Sequence, residues 1–245
     1  MSISAADKLF YAFYGAAICG NLQGFTLSYV LLKKDYKRNS FVIIANIAYF
    51  ICNILYTQNQ SSCQSTAYLI KTFQLLGSIL EVMTPFTRAL KLMSRNLKVV
   101  SAVLSIGLLF FSFIQLNQLK YTCNITTNEF INFEPNLPAI LISAVFSVSI
   151  YLIAFLTILK VVYASQFLKL NARLQIVKLV SIYTMLFAIS TRIAITILSI
   201  IARGDDGIQL ALQSHLILSL LLSQFAVEVT KKIQPKQKET PGQNA

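Results

Sequence analysis

The sequence predicts an all-α fold in which seven transmembrane helices form one bundle. Three observations carry this prediction: an apolar composition, long apolar runs, and basic residues concentrated in alternate connections. Hydrophobic residues make up 56% of the chain and charged residues 12%, against roughly 25% charged in soluble domains. The mean hydropathy is +0.64. A soluble chain with so few charges would expose large apolar patches, so we expect lipid to surround most of this protein.

Seven apolar runs define the predicted spans, at residues 9–32, 41–57, 67–90, 99–119, 138–159, 179–202 and 208–229. A helix needs about 20 apolar residues to cross a bilayer, and most of these runs reach that length. Backbone groups in lipid must be paired internally, and long runs without alternation indicate helices instead of barrel strands. We therefore predict one membrane domain over residues 1–230, followed by a short, basic, disordered cytoplasmic tail over 231–245.

Basic residues predict the orientation of the bundle. Sixteen of the 21 Lys and Arg residues fall in four alternating segments, at residues 33–38, 88–98, 160–178 and 231–238. Cytoplasmic connections carry an excess of Lys and Arg, so these segments are assigned to the cytoplasm. The N-terminus is then predicted outside and the C-terminus in the cytoplasm. The longest connection, residues 120–137, is predicted to be an outer loop.

The four cysteines separate into two pairs by position. Cys19 and Cys52 fall inside predicted spans, where a cysteine usually packs as a small apolar residue. Cys63 and Cys123 are the two loop cysteines, and both lie on the predicted outer side, where disulfides persist. We expect a disulfide between them that pins the long loop over the bundle. Two free thiols are the alternative.

Polar residues in the outer halves of the spans are candidates for ligand contact, namely Lys71, Gln74, Arg192 and His215. Intramembrane charges cost about 2.5–3.5 kcal/mol each on insertion scales, so they are candidates for function. If their spans face one another, they form a basic outer cavity for a small anionic or polar ligand. Alternatively, Lys71 extends to the outer interface, and His215 makes a hydrogen bond between helices.

A second set of intramembrane polar residues consists of Glu81, Asn21, Asn46 and Asn53. The expected partner of Glu81 is Arg192 or Arg88, and a protonated Glu81 bonded to Asn46 or Asn53 is an alternative. A role in an ion pathway and a purely structural ion pair both remain open at this point.

Several motifs carry a resemblance to a known family. Cys63 precedes Arg88 by 25 residues, which on one helix separates them by roughly 37 Å, at opposite membrane faces. Gly20-Asn21 resembles the Gly-Asn motif of helix one in the rhodopsin-like G-protein-coupled receptors, and Asn46-Ile47-Ala48 resembles their Asn-Leu-Ala motif of helix two. Thr87-Arg88-Ala89 stands where the family usually has an acidic residue, an arginine and a tyrosine, and the chain has no tryptophan. The chain is therefore similar to divergent members of the family, such as invertebrate chemoreceptors.

The resemblance implies a receptor that binds a small ligand among its outer helix halves and signals through a basic cytoplasmic face. In the family, the helix-three cysteine bridges to the second outer loop, as Cys123 would allow, and the arginine meets a heterotrimeric G protein. By this resemblance the inner face is formed by Arg88, Lys91, Arg173 and Lys178. For Arg88, a plain positive-inside anchor is the alternative. The plasma membrane is the expected location.

Other function classes find little support in the residues. The chain has one histidine and carries no Gly-rich phosphate loop or CxxC pair, so we expect neither an enzyme nor a bound cofactor or metal. The net charge of +12 is explained by the positive-inside pattern, so nucleic acid is not an expected partner. The expected partners are the lipid bilayer, an unidentified small ligand and a G protein. A small seven-helix transporter of the SWEET type and a non-signalling membrane scaffold are the alternative functions.

Overall fold

The computed structural model describes residues 5–57, 62–90, 92–124, 130–134, 136–164, 172–201 and 206–233. The described chain is almost entirely helical. Its helices are α1 (Ala5–Thr57), α2 (Cys63–Ala89), α3 (Arg95–Asn117), α4 (Leu137–Ala164), α5 (Ala172–Ile201) and α6 (Asp206–Ile233). Two short strands, β1 (Lys120–Cys123) and β2 (Phe130–Glu134), lie between α3 and α4.

Helix α1 folds back on itself. The side-chain amide of Asn46 donates to the backbone oxygen of Asn21 over 3.3 Å, although a straight helix would separate residues 25 positions apart by roughly 37 Å. The rings of Phe25 and Phe50 also meet, with centroids 4.9 Å apart. The chain therefore reverses between a first arm (Tyr11–Lys33) and a second arm (Asn39–Tyr56). With both arms counted, the described residues hold seven helical rods at the positions of the seven predicted spans.

Five of these rods are long and apolar enough to cross a membrane: the two arms of α1, α3, and segments of α4 and α6. The other two, α2 and α5, have 27 and 30 residues but carry charged residues within them. The apolar segment of α5, Ile182–Leu198, is shorter than the 18 residues used to recognise a span. This set of helices indicates an integral membrane protein.

The long connection between α3 and α4 departs from the predicted loop and from an all-α fold. Strands β1 and β2 pair antiparallel, with Lys120 opposite Glu134 and Tyr121 opposite Phe133. A change of register between Thr122 and Cys123 marks an irregularity in the pairing. Strands of four and five residues give little periodic signal, so the sequence alone does not indicate them.

Helices also extend further than the apolar runs predicted. Helix α5 begins at Ala172, so Arg173 and Lys178 lie on a helix and not in a connection. Helix α6 continues to Ile233, so the first residues of the predicted tail, Lys231 and Lys232, are helical as well. The remainder of the predicted tail lies outside the described residues. Apolar periodicity ends at the membrane boundary, whereas a helix can continue beyond it.

The helices pack against one another. Helix α2 contacts α1, α3 and α4, while α6 packs against both α1 and α5. The larger buried core joins residues of all these rods and includes Tyr49, Val82, Ile150 and Ile217. A smaller core lies near strand β2 and includes Tyr14, Ile70 and Leu210. We call the end of the bundle that carries the β-hairpin the hairpin end.

Candidate functional site

A polar cavity of about 130 Å³ lies at the hairpin end, between α2, α3, α4, α5, α6 and the strands. Its lining is dominated by amides, hydroxyls and charges, which include Lys71, Gln74, Ser78, Gln115, Arg192 and Gln213. Sites for drug-sized ligands usually measure about 300–1,000 Å³. This cavity therefore suits a ligand of only a few non-hydrogen atoms.

The β-hairpin is fastened beside this cavity at several points. Cys63 at the start of α2 forms a disulfide with Cys123 of β1, the bridge expected from the sequence. The rings of Tyr68 and Tyr121 meet with centroids 6.3 Å apart. Lys71 lies 5.3 Å from the ring centroid of Phe133 on β2, and Phe133 itself lines the cavity. The hairpin is thus a fixed part of the cavity wall.

A charged network lies beneath the cavity, centred on the fully buried Glu81. The hydroxyl of Tyr49 donates to Oε2 of Glu81 over 2.9 Å, and that of Tyr151 donates to Oε1 over 2.7 Å. Nε of Arg192 lies 4.0 Å from Oε1. These four side chains come from α1, α2, α4 and α5. We call them the Glu81 network.

Both carboxyl oxygens of Glu81 accept hydrogen bonds, so neither is left without a partner in the core. A buried charge without partners would cost several kcal/mol. Of the two arginines expected from the sequence, Arg192 lies beside Glu81, and the side chain of Arg88 lies outside the described part of the structure. The alternative partners Asn46 and Asn53 make no hydrogen bond to Glu81 in the described structure.

Arg192 connects the network to the cavity. Its side chain is almost completely buried, yet it lines the cavity from α5. Nη2 of Arg192 also donates to the hydroxyl of Ser78, one turn before Glu81 on α2. A molecule that enters the cavity and binds Arg192 therefore contacts the residue that lies against Glu81.

The structure brings together three of the four candidate ligand residues. Lys71, Gln74 and Arg192 all line the cavity, and Nζ of Lys71 donates to Oε1 of Gln74 over 3.3 Å. His215 does not line it. Its side chain is exposed on α6, with Nδ1 2.8 Å from the carbonyl oxygen of Ala211. Its neighbour Gln213 lines the cavity instead, because two positions along a helix turn a side chain by about 200°.

The candidate asparagines form a separate buried group. Asn21 donates to Oγ of Ser214 over 2.9 Å and so connects the first arm to α6. Asn21, Asn46 and Asn53 are all fully buried. Within the described part of the chain, Oδ1 of Asn21, Oδ1 of Asn46 and both amide atoms of Asn53 have no hydrogen-bond partner.

The predicted signalling face is only partly described. Arg88 lies in the last turn of α2 and Arg173 and Lys178 in the first turns of α5. The side chains of these three residues, and Lys91 entirely, lie outside the described part of the structure. Their role in G-protein coupling remains a prediction.

Sequence reasoning missed the two tyrosines of the network. Tyr49 and Tyr151 are fully buried in the middle of apolar runs. A buried tyrosine hydroxyl normally finds a hydrogen-bond partner. A tyrosine at the centre of a membrane span, in a chain with a membrane-buried carboxylate, was therefore a readable signal.

Comparison with models of protein families, with curated proteins and with solved structures found no match for this chain. The site therefore has to be interpreted from its own chemistry. Among the described residues, no three His, Cys, Asp or Glu side chains are grouped to hold a metal ion. What the arrangement offers is a small polar binding cavity whose floor is a buried ion pair.

Proposed function

We propose that this chain is a multi-pass receptor of the plasma membrane whose small ligand occupies the cavity at the hairpin end. One observation carries the proposal: Arg192 lines the cavity and also lies against Glu81, whose carboxylate holds residues of three other helices. A ligand that displaces Arg192 changes the packing of α1, α2, α4 and α5 together. Such a change in helix packing is how a seven-helix receptor passes a signal to its opposite end.

In this proposal the hairpin end faces the outside of the cell. The Cys63–Cys123 disulfide supports this orientation, because disulfides persist in oxidising compartments. The distribution of basic residues supports it too, since sixteen of 21 fall in segments at or beyond the opposite ends of the helices. The N-terminus then lies outside and the C-terminus in the cytoplasm.

The proposed receptor resembles a divergent rhodopsin-like G-protein-coupled receptor. Cys63 and Arg88, which carry the resemblance, lie in the first and last turns of α2. Helix α2 is also the helix that contacts α1, α3 and α4, so it can pass a displacement to all three. The proposed G-protein surface is the basic inner face formed by Arg88, Lys91, Arg173 and Lys178.

The proposal is tested by reconstituting the full chain in lipid nanodiscs with purified heterotrimeric G proteins of each class. Basal nucleotide exchange is expected to exceed that of the G protein alone. Replacing Arg192 with Gln removes the cation beside Glu81 and is expected to change that exchange several-fold. Gln224→Leu is a matched control, because Gln224 is buried on α6 and does not line the cavity.

Nucleotide exchange that stays at background with every G-protein class contradicts the receptor. If vesicles containing the chain then accumulate a radiolabelled polar solute, the chain is a transporter. If they do neither, the scaffold is favoured. Each variant is first checked for an unchanged elution profile, so that loss of folding is not read as loss of signalling.

A further inference from the structure

We infer that the cavity takes a small carboxylate that also carries a hydrogen-bond donor, such as a short hydroxy or amino acid. The carboxylate binds Arg192 and the donor binds Oε1 of Gln213. This inference rests on the proposed binding of a ligand in the cavity and adds its chemical class.

The donor is required by Gln213. This residue is 4% exposed and lines the cavity from α6. Its Oε1 atom is buried and has no hydrogen-bond partner among the described residues. An unsatisfied buried acceptor costs about 1–3 kcal/mol. Because Oε1 itself has almost no accessible surface, a donor in the cavity recovers that cost once the Gln213 amide turns its oxygen toward the cavity.

Three other glutamines of the lining already have partners. Nε2 of Gln115 donates to Ala139 O over 3.0 Å and to Ser143 Oγ over 2.8 Å. Oε1 of Gln74 accepts from Lys71, and Oε1 of Gln118 accepts from Asn136 over 2.8 Å. Among the described lining glutamines, Gln213 is the one whose Oε1 is both buried and without a hydrogen-bond partner.

The carboxylate is indicated by Arg192. A guanidinium carries five N–H donors in a planar fork that matches a carboxylate. Nη2 of Arg192 donates to Oγ of Ser78. Nε lies 4.0 Å from Oε1 of Glu81, which is too far for a hydrogen bond. The two oxygens of Glu81 are instead closely bonded to tyrosine hydroxyls. Donors on Arg192 thus remain for an anion in the cavity.

Charge balance and size limit the ligand further. The positive charges of Lys71 and Arg192 are opposed by Glu134 in the lining and by Glu81 below it. A singly charged or zwitterionic ligand suits this balance better than a phosphate dianion. The volume of about 130 Å³ is well below the range of about 300–1,000 Å³ for drug-sized ligands. A three-carbon acid is of the right size.

The test measures binding to the full chain in nanodiscs from the shift in thermal unfolding. The probes are both enantiomers of lactate, alanine, propionate and lactamide. Propionate lacks the donor next to the carboxylate, and lactamide lacks the charge. At least one lactate enantiomer or alanine is expected to bind about tenfold more tightly than propionate and lactamide.

Two variants assign the contacts. Gln213→Leu is expected to lower the affinity of the tightest-binding donor-bearing acid to that of propionate, while the affinity of propionate itself stays unchanged. Arg192→Lys, which keeps the charge but loses the fork, is expected to weaken every acid about tenfold. Gln224→Leu, the matched control on the same helix, should change neither.

Equal binding of propionate and the donor-bearing acids overturns the inference, as does an advantage that survives Gln213→Leu or a complete lack of binding. None of these readouts involves a G protein. Acid binding without nucleotide exchange therefore contradicts the proposed receptor but supports the ligand class. Nucleotide exchange without acid binding supports the receptor and contradicts the ligand class.

Discussion

The Glu81 network and the buried amides of α1 and α6 differ in how completely their polar atoms are partnered. Both groups are buried. Glu81 has a close partner at each oxygen and a guanidinium nearby. In contrast, both side-chain amide atoms of Asn53 and of Gln224 have no partner in the described structure.

The difference follows from the cost of burial. A buried ion without partners loses several kcal/mol of hydration, whereas a neutral amide loses about 1–3 kcal/mol for an unmade bond. A fold can keep neutral amides with incomplete hydrogen bonding, but it must surround a charge. The Glu81 network is therefore expected to respond strongly to single substitutions, and the amides weakly.

The largest effect is expected for Glu81→Leu. The substitution leaves the Arg192 guanidinium buried without its counter-ion, and removing one partner of a buried pair costs about 3–5 kcal/mol. The measurement is the free energy of unfolding in mixed detergent micelles. A loss below about 1 kcal/mol would place Glu81 in water or in an unpaired environment.

A smaller loss is expected for Tyr151→Phe. Only the hydroxyl that donates 2.7 Å to Glu81 is removed, while the buried ring stays. Hydrogen bonds to charged groups contribute about 1.5–3 kcal/mol. Tyr183→Phe serves as the control, because Tyr183 is exposed on α5 and its change should be close to zero. Equal losses for the two variants would contradict the assigned hydrogen bond.

Two buried glycines, one beside the Glu81 network and one beside the buried amides, allow the packing of the two regions to be compared. A Cβ on Gly77 would lie 3.0 Å from the rigid ring of Tyr49, whereas a Cβ on Gly24 would meet the end of the Asn46 side chain at 2.6 Å. Overpacking costs about 1–3 kcal/mol, and Ala gains about 1 kcal/mol of helix propensity over Gly. Gly77→Ala is therefore expected to lose up to about 2 kcal/mol.

Gly24→Ala is expected to stay within about 1 kcal/mol of the parent, because a flexible amide can turn aside while a buried ring cannot. Both variants are measured by the same unfolding assay. The reverse order, with Gly24→Ala the more damaging, would mean that the amides and not the Glu81 network are the rigid part of the bundle.

The smallest effect is expected for Gln224→Leu. Replacing an amide whose two polar atoms are unpartnered removes a burial cost, so stability should be unchanged or slightly raised. A parallel measurement on Asn21→Leu, which breaks the bond to Ser214, should show a loss of about 1 kcal/mol. A clear loss for Gln224→Leu would reveal a partner for its amide.

The same comparison explains which features the sequence could predict. Helix positions follow from the length and hydropathy of local runs, so the seven spans coincide with seven helical rods. The Cys63–Cys123 bridge could be expected because only two cysteines fall outside the spans. The identity of the residues that face the cavity depends on how each helix is rotated in the bundle.

Helix α6 illustrates the limit. Gln213 faces the cavity, Ser214 faces the first arm, and His215 points away from both. One position along a helix rotates a side chain by about 100°, so a small error in rotation exchanges these roles. A histidine within a span is the more conspicuous candidate, although Gln213 is the residue with an unmet hydrogen bond. Packing between helices sets the rotation of α6, and no local sequence pattern indicates that rotation.

The central claim is that Glu81 in the core and Arg192 in the cavity wall act as one unit. The most direct test is a double-mutant cycle of Glu81→Leu, Arg192→Leu and the combined variant, read from the free energies of unfolding. The account predicts that the combined variant loses about 2–3 kcal/mol less than the sum of the single losses, because neither charge is left alone. Losses that add to within about 0.5 kcal/mol would show that the two residues are independent and would contradict the account.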